Sequence, residues 1–160
     1  MAIDKDQFRQ VLSHFAAGVT VVTTLDSEQR PHGLTATAFT SVSLDPPLVL
    51  VCIDKNADTH PHFEPAGLFA VNFLSLDQRD VSQRFAKHGG EKFAGLGWRR
   101  GVLGAPLLDG TIGHVECRLR HVYEGGDHTI LVGEIESADT STGEPLLHFR
   151  QAYRRVADES

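Results

Sequence analysis

One stretch decides how the fold of this chain is interpreted: Gly33-Leu-Thr-Ala-Thr-Ala-Phe-Thr-Ser-Val-Ser-Leu-Asp-Pro-Pro-Leu-Val-Leu-Val-Cys-Ile-Asp-Lys-Asn56. Within it, Leu48 to Ile53 is a continuous apolar run after a double-proline break, which predicts a strand covered on both faces. The run ends abruptly in the polar residues 54–56. We therefore predict a rigid strand that delivers polar groups to its end, as is common in ligand sites.

The same stretch is rich in hydroxyl groups. Within nine residues it carries Thr35, Thr37, Thr40, Ser41 and Ser43. Hydroxyls and backbone N–H groups at a sheet corner can hold a phosphate without a glycine-rich loop. Thr and Ser are also ordinary residues of strands and turns. The residues by themselves leave both interpretations open.

Length and composition predict one enzyme-like domain over residues 1–160. The formal charge of −6 argues against binding to nucleic acid, which needs a clustered basic surface. No apolar run approaches the roughly 20 residues of a membrane span, so we expect no membrane association. The polar N-terminus does not have the pattern of a signal peptide, which favours a cytoplasmic location.

Cysteine and histidine usage gives weaker signals. Cys52 and Cys117 both lie in apolar strand-like segments. Free thiols in a reducing cytoplasm are favoured, although a single disulfide remains open. The chain has nine histidines but neither a Cys-x-x-Cys nor a His-Glu-x-x-His pattern, so we predict no metal site.

Periodicity predicts two main helices. The first runs from Asp6 to Phe15, has an apolar stripe at i, i+3, i+4 and i+7, and is ended by Gly18. The second runs from Asp77 to Lys87, and residues 92–100 are predicted to be irregular. Strands are predicted over residues 19–25, 31–38, 48–53, 68–74, 112–123, 128–135 and 145–149. This pattern predicts a mainly β fold with an antiparallel sheet closed on itself, and leaves barrel and sandwich open.

Five segments resemble the flavin reductase-like family in the same order along the chain. They are Ala38 to Cys52, Phe15 to Thr24, Phe69 to Ser75, Gly126-Asp-His128 and Pro145 to Phe149. The resemblance extends from about Phe8 to about Arg155. Members of this family are the reductase components of two-component flavin-dependent monooxygenases.

The resemblance implies a fold and an activity. The fold would be a Greek-key split β-barrel that binds FMN and forms a homodimer, with the flavin near the subunit interface. The activity would be that of an NAD(P)H:flavin oxidoreductase, in which NADH or NADPH gives a hydride to FMN or FAD. The reduced flavin would then pass to a separate monooxygenase. The protein would supply positioning and electrostatics, while the flavin carries the chemistry.

The resemblance also implies site residues. Five would wrap the ribityl chain and phosphate: Thr35, Thr37, Ala38, Phe39 and Thr40. Four would meet the edge of the flavin ring: Asp54, Lys55, Asn56 and Thr59. Four would lie at the phosphate end: Arg84, Phe85, Phe93 and Ala94. Three would serve the nicotinamide nucleotide: His128, Tyr153 and Arg154. His128 is the one catalytic candidate, as a residue that holds the dinucleotide and not as an obligate acid.

Several of these residues also have a plainer interpretation. From the residues alone, Arg84 is better explained as a solvated side chain beside a core Phe85. His128 is equally the first residue of a strand after the turn Glu124-Gly-Gly-Asp127. Ala38 stands where relatives often carry a small polar residue, so one hydrogen bond to phosphate would be missing.

Two other functions remain open at this point. One is an FMN-dependent oxidase or reductase of the same barrel, with tightly bound flavin and its own organic substrate. The other is a module that binds flavin without catalysis.

Overall fold

The computed structural model describes residues 2–159, which form a mainly β fold with a few short helices. The helices are α1 (Lys5–Leu12), α2 (Phe63–Ala66) and α3 (Arg79–Phe85), with 3-10 turns at His60–His62 and Leu76–Gln78. The strands are β1 (Ala17–Gly18), β2 (Thr20–Leu25), β3 (Pro31–Ala36), β4 (Phe39–Ser43), β5 (Leu48–Asp54), β6 (Leu68–Phe73), β7 (Trp98–Arg100), β8 (Pro106–Leu108), β9 (Gly113–Gly125), β10 (His128–Thr140), β11 (Leu147–Phe149) and β12 (Ala152–Arg154).

Seven strands form one antiparallel sheet in the order β3-β2-β6-β9-β10-β5-β4. Its two edge strands, β3 and β4, are consecutive in the chain and are joined only by Thr37 and Ala38. Because so short a connection reaches only about 11 Å, the sheet must curl until its edges meet. The core lies inside this curl, where Val22, Val51 and Phe69 are fully buried.

The curled sheet is not closed by hydrogen bonds. Within residues 2–159, no ladder joins β3 to β4. The prediction of a mainly β antiparallel fold is confirmed, and the prediction of a sheet closed on itself is wrong in this respect. A two-stranded sheet of β7 and β8 and a three-stranded sheet in the order β1-β11-β12 pack beside the main sheet.

Helix α1 differs from the prediction at its end and on its apolar face. The Asp4 carboxylate accepts a hydrogen bond from the Gln7 N–H and begins the helix, but the helix ends at Leu12, well before Gly18. The apolar stripe does not pack into the core. Phe8 and Val11 of α1 remain 55% and 59% exposed, and Phe15, which follows the helix, remains 78% exposed. The stripe is therefore an apolar surface of the molecule.

The strand β5 is covered less completely than its sequence predicts. Val49, Val51 and Ile53 are buried, while Leu48, Leu50 and Cys52 on the opposite face are only half-buried. Alternation of burial shows that one face points into the core and the other lies nearer to the surface. The prediction of burial on both faces is therefore wrong within this chain.

In strand β9, by contrast, a charged side chain is buried. Glu116 lies on the polar face of the alternating strand, yet it is fully buried because the loop 101–105 folds over it. Its Oε1 atom accepts hydrogen bonds from the backbone N–H groups of Leu103 (2.8 Å) and Ala105 (3.0 Å). Its Oε2 atom has no hydrogen-bond partner among the described residues. The carboxylate thus anchors this loop to the sheet.

The remaining differences are short elements. Residues 98–100, predicted to be irregular, form β7, and a further strand, β12, follows β11. The predicted helix 77–87 consists of a 3-10 turn and the seven-residue α3. Both cysteines are free thiols, as the sequence favoured.

Candidate functional site

The polar residues that follow β5 meet the turn between β9 and β10. Asp54 pairs with His128 in the ladder between β5 and β10. The Lys55 N–H donates to the Asp127 carbonyl at 3.0 Å, and the Lys55 ammonium forms a salt bridge with Glu124. The structure therefore brings Asp54, Lys55 and His128 together, and we call this place the β5–β10 end.

The His128 side chain is held by its neighbour. Its Nδ1 atom lies 2.7 Å from Asp127 Oδ1, and the imidazole remains 41% exposed. This contact lowers the pKa of the Asp127 carboxyl below its ordinary value. If Nδ1 donates to the carboxylate, the Nε2 atom is left as the ring nitrogen that can meet a ligand.

Helix α3 gathers a second group of predicted residues. The Thr35 hydroxyl on β3 donates to the Ser82 carbonyl at 2.6 Å. The Ser82 hydroxyl lies 2.8 Å from the Tyr153 hydroxyl. Thr35 and Tyr153 thus contact α3 from two different sheets, and their hydroxyls have partners within the protein. Arg154, next to Tyr153, is exposed on β12.

The C-terminal end of α3 holds the segment that follows it. Phe85 is buried against Gly33, where an added Cβ would lie 2.9 Å from the Phe85 ring. The Phe93 ring meets Phe85 edge to face, with 5.0 Å between centroids. The Arg84 guanidinium donates to the Ala94 carbonyl at 3.1 Å. Arg84, Phe85, Phe93 and Ala94 are therefore one packed unit.

The connection between β3 and β4 lies beside β5. Thr37, Ala38 and Thr40 are exposed, and the Ala38 carbonyl accepts a hydrogen bond from the Cys52 N–H at 3.0 Å. Thr37 and Phe39 line an apolar depression of about 370 Å³ that also includes Phe15. This depression continues the exposed apolar surface of α1.

A larger cleft of about 540 Å³ is lined by residues 30–33 and 58–59 and by residues 89–93, which follow α3. We call it the Lys92 cleft. Of the predicted residues it includes only Thr59 and Phe93, and it shares no lining residue with the apolar depression. The Thr59 hydroxyl is buried and donates to the Gly33 carbonyl at 3.0 Å, so it fixes the cleft wall to β3.

Sequence reasoning missed Arg30, His32 and Lys92 as residues of this cleft. Arg30 and His32 both contact Asp26, at 2.8 and 3.0 Å. Lys92 is half-buried, and burial lowers the pKa of its ammonium group. The only signal in the sequence was a cation directly before Phe93, which the family resemblance had already assigned to the phosphate end.

These residues fit a phosphorylated nucleotide. The Lys92 cleft contains a half-buried ammonium group, and the β3–β4 connection presents exposed hydroxyls. Ammonium groups, hydroxyls and backbone N–H groups are the usual donors to phosphate. Among residues 2–159, no cluster of three or more His, Cys, Asp or Glu side chains has the arrangement of a metal site.

None of the helices formed by the described residues has the length and hydropathy needed to cross a bilayer. The geometry defines a class of protein: a mainly β domain with a curled antiparallel sheet and clefts suited to nucleotides.

Comparison with known proteins assigns the family within this class. Residues 12–157 match the model of the flavin reductase like domain. The chain therefore belongs to the flavin reductase like family, and the family predicted from the sequence is confirmed.

Individual relatives are similar over nearly the whole chain. The reductase subunit HsaB of a flavin-dependent monooxygenase from Rhodococcus jostii is 40% identical over 97% of this chain and 80% of that protein. The actinorhodin polyketide dimerase of Streptomyces coelicolor is 44% identical over 86% of this chain and 77% of that protein.

A solved structure is equally similar. It is the Streptomyces globisporus NADH:FAD oxidoreductase SgcE6, in complex with NAD and FAD fragments. The two chains are 42% identical, with a TM-score of 0.92 over 98% of this chain and 95% of that one.

Proposed function

We propose that this protein is an NAD(P)H-dependent flavin reductase that passes reduced FMN or FAD to a separate flavin-dependent monooxygenase. The observation that carries this proposal is the family match over residues 12–157, together with 42% identity to an NADH:FAD oxidoreductase. When bound, the flavin supplies the hydride acceptor. The chain itself supplies the residues that bind the flavin and those that bind the nicotinamide nucleotide.

The β5–β10 end is the proposed meeting place of the two substrates. Lys55 brings a positive charge to the edge of the flavin ring, and its salt bridge with Glu124 limits where that charge can lie. His128 lies on the adjacent strand, where Asp127 orients its imidazole. We assign Nε2 of His128 to the nicotinamide nucleotide, so that binding on both strands sets the orientation for hydride transfer.

Three predicted groups support binding of the flavin around this end. The exposed Thr37 and Thr40 hydroxyls, with Ala38 and Phe39 between them, are assigned to the ribityl chain. Asp54, Asn56 and Thr59 are assigned to the ring edge. Thr35, Arg84, Phe85, Phe93 and Ala94 shape the wall around α3, and Tyr153 and Arg154 are assigned to the nicotinamide nucleotide.

Steady-state oxidation of NADH and NADPH tests the proposal, with riboflavin, FMN and FAD supplied in turn. A flavin reductase consumes the nicotinamide nucleotide only when flavin is added, and its rate saturates with flavin concentration. Absence of oxidation with all three flavins, in a preparation that binds flavin, would identify a flavin-binding module instead.

A second enzymatic function is favoured by one observation. The relative at 44% identity is named for a reaction on an organic substrate, the dimerisation of a polyketide. A protein of this kind would retain its flavin through dialysis and would act on an organic substrate of its own. Loss of the yellow colour on dialysis, with turnover restored by added flavin, would favour the reductase.

We also propose a homodimer, a Greek-key arrangement of the split barrel, and a cytoplasmic location. The exposed apolar surface of α1 and the half-buried outer face of β5 support a dimer, since a second copy would cover them. The two free cysteines support a reducing compartment.

A further inference from the structure

Two histidine rings stack on each other at one wall of the Lys92 cleft. The His32 ring on β3 and the His62 ring at the end of a 3-10 turn lie 4.1 Å apart between centroids, with 33° between their planes. His32 lines the cleft, while His62 is half-buried and does not line it. Because each ring can take up a proton near neutral pH, the stack places two ionisable groups in direct contact.

Charged groups face this pair from each neighbouring element. At the turn between β2 and β3, His32 Nε2 lies 3.0 Å from Asp26 Oδ2. The charge of Asp26 favours a proton on the pair, and that of Arg30 opposes one. The remaining charged or ionisable groups are Glu28 of the same turn, Asp58, Glu91 and Lys92 around the cleft, where Asp58 acts on Lys92, and His60 and Glu64 beside His62.

A series of tight turns connects His62 to the residues assigned to the flavin ring. The Ala57 N–H donates to the Asp54 carbonyl at 3.1 Å, and the Ala57 carbonyl accepts from the His60 N–H at 3.0 Å. The His62 N–H closes a further turn by donating to the carbonyl three residues before it at 3.1 Å. A displacement of His62 is therefore transmitted to residues 54–59, which we call the ring-edge segment.

Three side-chain contacts fasten these turns to the sheet. The Thr59 hydroxyl donates to a carbonyl of β3 at 3.0 Å. The His60 Nε2 atom lies 2.8 Å from the Thr129 hydroxyl on β10. The third contact is the stack of His62 on His32. Of the three, only the stack joins two ionisable rings.

We infer that the stack of His32 and His62 is a proton-sensitive clasp, which positions the ring-edge segment while one ring is neutral and releases it when both rings are charged. Two positive charges at this separation repel each other, whereas a neutral ring can stack on its neighbour. His32 and His62 are positioning residues, because neither is assigned a contact with the flavin. The consequence for flavin binding rests on the proposed function.

The direction of the effect follows from the burial of His62. Burial is the largest cause that lowers the pKa of His62 below its ordinary value of 6.5, and the charge of His32 is the next. An opened clasp exposes this ring and restores its ordinary pKa, so protonation favours the open form. We therefore expect the clasp to be closed at about pH 7.5 and increasingly open as the pH falls below about 6.5.

Equilibrium binding of riboflavin between about pH 7.5 and pH 5.5 tests the clasp without turnover. Riboflavin is the probe because it has no phosphate, whose second ionisation near pH 6 would overlap with that of the histidines. We expect the Kd of the unmodified protein to rise about three-fold or more over this range, since a difference of one pKa unit between the two forms corresponds to a ten-fold change.

His62→Phe keeps an aromatic ring against His32 and removes its proton. Its Kd for riboflavin at about pH 7.5 should stay close to that of the unmodified protein, and the rise in acid should be lost. His114→Phe is the matched control. It removes another buried histidine whose pKa is lowered by burial, at the opposite end of β9 from the β5–β10 end. Its pH dependence should equal that of the unmodified protein.

An NMR titration of the ligand-free protein gives a readout that does not depend on flavin. Two rings in contact take up their protons in two separate steps. We expect the backbone amide signals of residues 57–62 to move with the second step, and to stay in place over this range in His62→Phe.

Three results would overturn the clasp: a riboflavin Kd that does not change with pH, an unaltered pH dependence in His62→Phe, or amide signals of residues 57–62 that do not follow the histidine titration. Failure of the proposed function is recognised separately. In that case the unmodified protein shows the NMR transition but neither binds flavin nor oxidises NADH or NADPH.

Discussion

Asp26 shows most clearly how individual residues of this chain depend on their surroundings. Its side chain is nearly buried at the turn between β2 and β3. It accepts hydrogen bonds from the backbone N–H groups of Glu28 (2.8 Å) and Arg30 (2.9 Å), and contacts the side chains of Arg30 and His32. The Arg30 N–H is the largest of the contributions that lower the pKa of this carboxyl well below its ordinary value of 3.8.

This environment predicts an acid-sensitive contribution to stability. Because the pKa is lower in the folded protein, the unfolded chain binds the proton more readily, and stability falls as pH drops below about 4. Asp26→Asn should be less stable at pH 7 and should lose less further stability between pH 5 and pH 3. Urea unfolding across this range measures both effects. The exposed Asp158→Asn serves as control, and an Asp26→Asn curve parallel to that of the unmodified protein would contradict the prediction.

The sequence identified site residues where local order determines their position. Asp54 and Lys55 were predictable as polar residues at the end of β5, and His128 as the first residue of β10. Their proximity was not predictable from local order, because it depends on the pairing of β5 with β10. The environment of Lys92 was not predictable. It depends on the carbonyls of Gly33 and Phe85, which only the packing of α3 on β3 brings to the lysine.

At the scale of elements, the hairpin of β9 and β10 is fitted to the core at Gly133. The register of the two strands shifts between Val132 and Gly133. An added Cβ on Gly133 would lie 2.5 Å from the Phe69 ring and 2.7 Å from Cys117 Cβ. Strand β10 can therefore pack this closely against Phe69 and Cys117 only because residue 133 has no side chain.

Gly133→Ala is expected to destabilise the fold by about 1–3 kcal/mol through overpacking. Gly18→Ala is the matched control, since no atom lies within 4 Å of a Cβ added there. Urea denaturation of both variants measures the difference. Equal stabilities would mean that the core near Phe69 accommodates a methyl group without cost.

Strands with a clear apolar or β-branched pattern were predictable, and strands without one were not. The strands β2, β5, β6 and β10 are rich in apolar or β-branched residues, so their patterns were visible in the sequence. Strand β7, Trp98–Arg100, has no such alternation and exists because Pro106–Leu108 pairs with it. The burial of Glu116 likewise results from a loop folded over it, which local periodicity does not report.

At the scale of the whole molecule, the exposed apolar stripe of α1 predicts self-association. We expect the purified protein to be a homodimer by light scattering at micromolar concentration. Phe15→Ser, at a residue 78% exposed, should shift the equilibrium toward monomer. Val102→Ser changes a similarly exposed residue (75%) on the loop 101–105 and should not. A fully active monomer in the unmodified protein would reject the dimer.

The central claim is that two substrates meet at the β5–β10 end, and His128 provides its most direct test. The measurement is the KM for NADH of His128→Ala at saturating FMN, with the Kd for FMN and the melting temperature determined on the same preparation. Loss of one hydrogen bond worth roughly 1 kcal/mol predicts a KM raised a few-fold, with FMN binding nearly unchanged. An unchanged KM with a lowered melting temperature would contradict the account, because His128 would then only stabilise the start of β10.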